Sequence, residues 1–130
     1  MDRLEDVITD VIDCGFHIHK QLGPGLLESV YETVLATTLQ KRGYAVDRQK
    51  PVEIQFDDMT FREGFRADIV VNEILLVELK STERMAPVYG KQVLTYLRLM
   101  NLPIGLLMNF GCATFKEGLK RIANNYTPTS

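Results

Sequence analysis

Several things are scarce in this chain of 130 residues, and each shortage excludes a class of protein. Only two cysteines occur, Cys14 and Cys112, far apart in the sequence. That rules out a disulfide framework and the close spacing of a cysteine metal site, and reads as a reduced, intracellular pair. No apolar run approaches the roughly 20 residues needed to cross a bilayer. The opening Met1-Asp2-Arg3-Leu4-Glu5-Asp6 is too acidic and polar for a secretory leader, so a cytoplasmic location without membrane attachment is expected. Positive charge is not in excess either. A formal net charge of −2 excludes holding nucleic acid by bulk electrostatics alone. It leaves room for an enzyme whose bound cations neutralise its own carboxylates. Internal repeats, low-complexity segments and linkers are also lacking.

What is present has the balance of one soluble globular domain over residues 1–130, with 45% hydrophobic and 25% charged residues. Leu4, Val7, Ile8, Val11, Ile12, Ile18 and Leu22 recur at helical spacing, which predicts an amphipathic helix over about residues 3–21. Gly23-Pro24-Gly25 breaks it. A second helix follows, with Leu27, Val30, Tyr31, Val34, Leu35 and Leu39 inward and Gly43 as its stop. The period then changes. Val52, Ile54 and Phe56 alternate with Glu53 and Gln55, and Asp57-Asp58-Met59 supplies a turn. In the next strand Phe61, Glu63, Phe65, Ala67, Ile69 and Val71 should share one face. Arg62, Gly64, Arg66, Asp68 and Val70 should share the other. A third strand ends at Lys80, and a helix over about residues 86–101 turns Val93, Tyr96, Leu97 and Met100 inward. Ile104 to Met108 reads as a strand covered on both faces, parallel to its predecessor. A short helix is expected over Lys116 to Asn125, with Thr127 to Ser130 frayed. The order is ααβββαβ, an α/β fold.

The stretch "RADIVVNEILLVELK", residues 66–80, carries the chemistry. Two acids and a lysine interrupt a greasy hairpin, where burying charge is expensive. Glu78 and Lys80 share one strand face. A two-residue Asn72-Glu73 turn would put Asp68 on the opposite side. A three-residue loop, Asn72 to Ile74, or a bulge would set Asp68 against Glu78. At the roughly 5 Å separation of cross-strand neighbours, two carboxylates could grip one cation. Unpaired, they would raise each other's pKa. Mg²⁺ suits such hard oxygens, with Mn²⁺ able to substitute. A purely structural ion cluster at a sheet end would use the same three residues.

Asp68, nine residues, then Glu78-x-Lys80 resembles the PD-(D/E)XK nuclease superfamily, and the order ααβββαβ is that of its restriction-endonuclease-like core. Gln92-Val93-Leu94-Thr95-Tyr96 looks like the Gln-x-x-x-Tyr motif of its exonuclease-like branch. Gly25-Leu26-Leu27-Glu28-Ser29-Val30-Tyr31 looks like the signature of its GxxExxY group, which "IGLLMNFG" (104–111) and "GLKRI" (118–122) also resemble. Ala67 stands where the superfamily's name has proline. The resemblance implies a mixed sheet flanked by helices and a metal-dependent nuclease acting on nucleic acid, DNA by analogy. It implies Asp68, Glu78, the Leu79 carbonyl and Glu28 as metal ligands. Lys80 would orient or help deprotonate water, or stabilise charge at phosphorus. Gln92 and Tyr96, four apart on one helix face, would touch the nucleic-acid backbone or buttress the site. Arg62 and Arg66, placed by alternation on the face of Asp68, are further substrate contacts.

Other residues carry less. Tyr31 reads as packing, and His17 and His19, about 200° apart on a helix, read as solvated or capped. Lys116, Lys120 and Arg121 would form a small basic face or an ordinary solvated one. Specificity would come from a homodimer or a partner protein. The alternative function is a non-catalytic module for nucleic acid or protein that keeps the fold.

Overall fold

The structure, a computed structural model, describes residues 3–128. Helices α1 (Leu4–Leu22) and α2 (Glu28–Lys41) precede strands β1 (Val46–Phe56), β2 (Met59–Val71) and β3 (Leu75–Lys80). Helix α3 (Pro87–Met100), strand β4 (Ile104–Asn109), a single turn α4 (Phe115–Gly118) and strand β5 (Leu119–Ala123) complete the chain. The five strands lie in the order β1-β2-β3-β4-β5. Only β3 and β4 run parallel, joined through α3. The other pairs are antiparallel, so the sheet is mixed.

Hydrophobic patterning explains the layers. The runs Leu75–Leu79 and Ile104–Met108 are buried throughout because β3 and β4 are covered on both faces. Leu75, Val77 and Leu79 join Ile104, Leu106 and Met108 in a core against α1 and α2. Leu76 and Leu107 join Val93 and Leu97 of α3 in a second core on the other face. Pro at the first turn of α3 needs no intrahelical donor, and Asn101, at φ 55°, ends that helix in the left-handed region.

Three expectations need correction. First, the tail is not a helix over Lys116 to Asn125. After the single turn α4, β5 pairs antiparallel with β4 from Met108↔Leu119 to Ile104↔Ala123. That pairing closes an edge which an apolar strand such as β4 cannot leave open. Of the residues expected to fray, Thr127 and Pro128 are exposed and 129–130 lie outside the described residues. Second, Leu27 and Val30 do not face inward. Leu27 is the N-cap of α2 and is 74% exposed, while Glu32 takes an inner position at 6% exposure. Third, alternation fails in the hairpin strands. Phe56 and Phe61 are exposed at the tip, where β2 carries extra residues between Val52↔Phe65 and Ile54↔Phe61. Ala67 packs with Val70 in the α3-side core, whereas Ile69 and Val71 face the other helices. The face switches at Asp68.

The loop before α2 is pinned by Tyr31. Its ring stacks on Phe110 at 4.5 Å, and its hydroxyl donates to the Gly23 carbonyl (2.6 Å) and accepts from Leu26 N–H (3.1 Å). Replacing Tyr31 by Phe keeps the stack and removes both bonds. The expected result is a loss of about 1 kcal/mol of unfolding free energy at unchanged denaturant slope, read by urea titration.

Candidate functional site

Strands β2 and β3 pair at only three positions, Val71↔Leu75, Val70↔Leu76 and Ile69↔Val77. The connection is the three-residue loop Asn72 to Ile74. Asn72 and Glu73 both hold positive φ (52° and 59°), and Ile74 N–H donates to the Val71 carbonyl at 3.1 Å. One further step in this register sets Asp68 against Glu78. There the backbone ladder stops and the carboxylates replace it. The N–H of Asp68 donates to Glu78 Oε2 at 2.7 Å, and the N–H of Leu79 donates to Asp68 Oδ2 at 2.9 Å. Each acid therefore accepts the donor that the opposite strand would otherwise leave unpaired.

The electrostatics of this pair are unfavourable. Glu78 is 4% exposed. Its burial, and then the charge of Asp68, push its pKa up to about 8, against the Asp68 N–H and Lys80. Burial also raises Asp68, although the Leu79 N–H and the Gln49 amide favour its ionised form. Lys80 lies on the same face as Glu78, at the end of β3. Its Nζ donates to Gln92 Oε1 of α3 at 3.2 Å and sits 5.0 Å from the centre of the Tyr89 ring. Tyr96, one turn beyond Gln92, stacks on Phe65 at 3.9 Å. Burial and the charges of Glu78 and Asp68 raise its phenol.

The first turn of α2 brings Glu28 to this rim. It is exposed on one side, yet partial burial and then Asp68 raise its pKa against the pull of Lys80. Tyr31 is a packing residue, as expected. Among the described residues no three Asp, Glu, His or Cys side chains gather as a ready-made metal cage. The donor set nevertheless fits a hard divalent cation. It offers two adjacent carboxyl groups with one lysine nearby, and Mg²⁺ is commonly held by one or two carboxylates. The Leu79 carbonyl adds a hard oxygen. In a strand, the N–H and C=O of one residue point to the same edge, and the Leu79 N–H already points to Asp68.

Arg62 and Arg66 are not brought to the acids. Arg66 lies between Phe65 and Ala67, both packed toward α3, so its side chain leaves the opposite face and pairs with Glu63. Arg62 is exposed and, among the described residues, makes no side-chain hydrogen bond. The C-terminal basic face does not form, because Arg121 is paired with Glu5 at 2.5 and 2.9 Å. His19 is buried, its Nε2 at 2.9 Å from the Cys112 carbonyl, and His17 is exposed.

Reading by motif missed three contributors. Glu32 accepts from Arg48 Nε (3.2 Å) and Nη2 (2.9 Å), and from the Gln49 amide (2.5 Å). Gln49 also reaches Asp68 Oδ1 at 3.2 Å. The spacing of Glu32, one turn after Glu28, was the available signal. Asn109, buried next to Lys80 across the parallel pair, accepts from Thr82 N–H and Gly111 N–H, both at 3.0 Å. It donates to Thr82 Oγ1 (2.9 Å) and the Arg84 carbonyl (3.2 Å). It thereby fixes the segment between Lys80 and α3.

A raised carboxyl pKa sets a pH dependence. Between the ordinary value of 4.5 and about 8, the unfolded chain ionises Glu78 while the fold keeps it protonated, so stability falls as pH rises through that window. Glu78→Gln is neutral throughout. In EDTA its unfolding free energy should gain on wild type by more than about 1 kcal/mol between pH 5 and pH 8.5, measured by urea titration.

Comparison with known proteins gives one match. No curated protein and no solved structure matches the chain. The profile described as the PD-(D/E)XK nuclease superfamily matches residues 5–122, which contain both helical layers, the whole sheet but its last residue, and the acids at residues 68 and 78. With the mixed sheet and the Asp68–Glu78–Lys80 arrangement already described, that match places the chain in the PD-(D/E)XK nuclease superfamily, with its restriction-endonuclease-like fold.

Proposed function

We propose that this protein is a metal-dependent phosphodiesterase that hydrolyses nucleic acid, with DNA as its substrate and Mg²⁺, replaceable by Mn²⁺, as its cofactor. The observation that carries the reading is the reciprocal Asp68–Glu78 pair with Lys80 beside it, at the carboxyl end of a buried strand. Ligands of open α/β sheets sit at that end. Asp68, Glu78 and the Leu79 carbonyl would hold the cation, and Glu28 adds negative charge at the rim. When bound, the cation supplies charge neutralisation at the phosphate and an acidified water.

The chain's own residues do the rest. Lys80, restrained by Gln92 and Tyr89, would face the attacking water and the phosphate oxygens. The water oxygen gives up a proton to solvent and bonds to phosphorus, the ester P–O bond breaks, and the leaving oxygen takes up a proton from solvent. The ammonium of Lys80 opposes the charge that builds at phosphorus. Gln92 orients Lys80, and Tyr96 buttresses the wall behind it. The Gly25-to-Tyr31 segment and "IGLLMNFG" support membership of the GxxExxY group. The same reading makes the protein cytoplasmic, with target choice given by a second copy or a partner protein.

One observation favours a second reading. Both Asp68 oxygens already have partners, Leu79 N–H and the Gln49 amide, as a non-catalytic module that keeps the fold would require. Cleavage assays separate the two. Linear, circular, branched and single-stranded DNA, and RNA, are offered with Mg²⁺ or Mn²⁺. A nuclease cuts at least one, and EDTA, Glu78→Ala or Lys80→Ala lowers the rate by at least about 100-fold. Cutting that survives Glu78→Ala overturns the proposal. No cutting, together with a melting temperature indifferent to metal, establishes the module.

A further inference from the structure

Gln49 lies on β1 between the pairs Arg48↔Ile69 and Lys50↔Ala67, directly across from Asp68. It is not a glycine, yet its φ is 48°, in the left-handed region that side chains rarely adopt within a strand. Its neighbours in the ladder are regular, so the kink is confined to one residue. Backbone conformations of this kind persist where the surroundings hold them, and they concentrate at functional sites.

The kink puts one amide nitrogen between two carboxylates. Gln49 Nε2 donates to Glu32 Oε1 at 2.5 Å and to Asp68 Oδ1 at 3.2 Å, one proton for each. Glu32 is itself fixed. It is 6% exposed, and its other oxygen accepts both Nε and Nη2 of Arg48, whose Nη2 also donates to Thr33 Oγ1 at 2.9 Å. A continuous strut therefore runs from α2 through Gln49 to Asp68. The remaining Asp68 oxygen is tied to Leu79 N–H at 2.9 Å. With both oxygens held, rotation of the carboxylate about its terminal bond is restrained.

We infer that Gln49 is a positioning residue: braced on Glu32 and Arg48, it sets the plane of the Asp68 carboxylate so that its outward lone pairs meet a divalent cation. This rests on the proposed metal-dependent function. The left-handed kink is the device that brings the amide within reach, and a regular residue there would point its side chain elsewhere.

The test compares Mn²⁺ binding and melting of four full-length proteins, wild type, Gln49→Ala, Gln49→Gly and Glu78→Gln. Binding is read by titration calorimetry well below melting. Wild type is expected to bind and Glu78→Gln to fail. Both Gln49 variants should bind about tenfold more weakly, since ligand-orienting partners are typically worth that much. Gln49→Gly should melt about 3 °C or more above Gln49→Ala, because only glycine adopts the kink freely. A brace of merely structural value would move melting and leave Mn²⁺ affinity alone. If Gln49→Ala and Gln49→Gly bind like wild type while Glu78→Gln does not, the positioning role is overturned and the metal site stands. If wild type and Glu78→Gln alike fail to bind, the metal-dependent reading falls and takes this role with it. Equal melting of the two Gln49 variants overturns the kink as the device.

Discussion

A β-ladder that stops early is the constraint on which the site depends. Strands β2 and β3 pair at three positions and then part, and a parted sheet leaves donors that must find acceptors. Side-chain carboxylates fill that need from both strands at once. The acids are therefore part of the sheet's hydrogen bonding, and their separation is fixed by the backbone and not by flexible side chains. Burial comes with the same geometry, because β3 is covered on both faces. A buried carboxyl group and a half-buried one are thus held together with one lysine nearby. A site built this way is unfavourable when empty of counter-charge and well shaped for a hard cation.

Each layer of the fold contributes residues to the site. From α3 come Gln92 and Tyr89, which restrain Lys80. From α2 come Glu28 at the rim and Glu32 behind it. Strand β1 supplies Arg48 and Gln49. The end of β4 supplies Asn109, which secures the loop leaving Lys80. The burial of Glu32 follows from this arrangement. A carboxylate on an inner helical position is tolerated because Arg48 and Gln49 between them occupy both of its oxygens.

The elements of the fold were legible wherever hydrophobic period was strong. Helix α1, the doubly buried β3 and β4, and the inward residues of α3 could all be read from spacing. The hairpin register was legible as a choice between two loops, and the structure selects the three-residue one. What failed had specific causes. Strand β5 is five residues long with charged residues interleaved, too short to show a period of two against one of 3.6. Glu32 was hidden because hydrophobic counting reads a buried acid as an outer residue. Gln49 was hidden because nothing in its residue type announces a positive φ. Arg66 was misplaced because strict alternation cannot foresee a face switch at Asp68, the very residue where the ladder ends.

Charge ties the proposed chemistry to its cofactor. The chain carries a formal net charge of −2, and three of its arginines are paired with acids, Arg121 with Glu5, Arg66 with Glu63 and Arg48 with Glu32. At the site, Lys80 lies near Asp68, Glu78 and Glu28. A phosphodiester approaching ionised acids with one ammonium meets net repulsion over a few ångströms, where screening by salt is weak. A divalent cation reverses that sign. On the proposed function, metal therefore acts twice, once on the reacting phosphate and once on whether nucleic acid enters at all. Substrate and cation then favour each other's binding by the same free energy, as linkage requires.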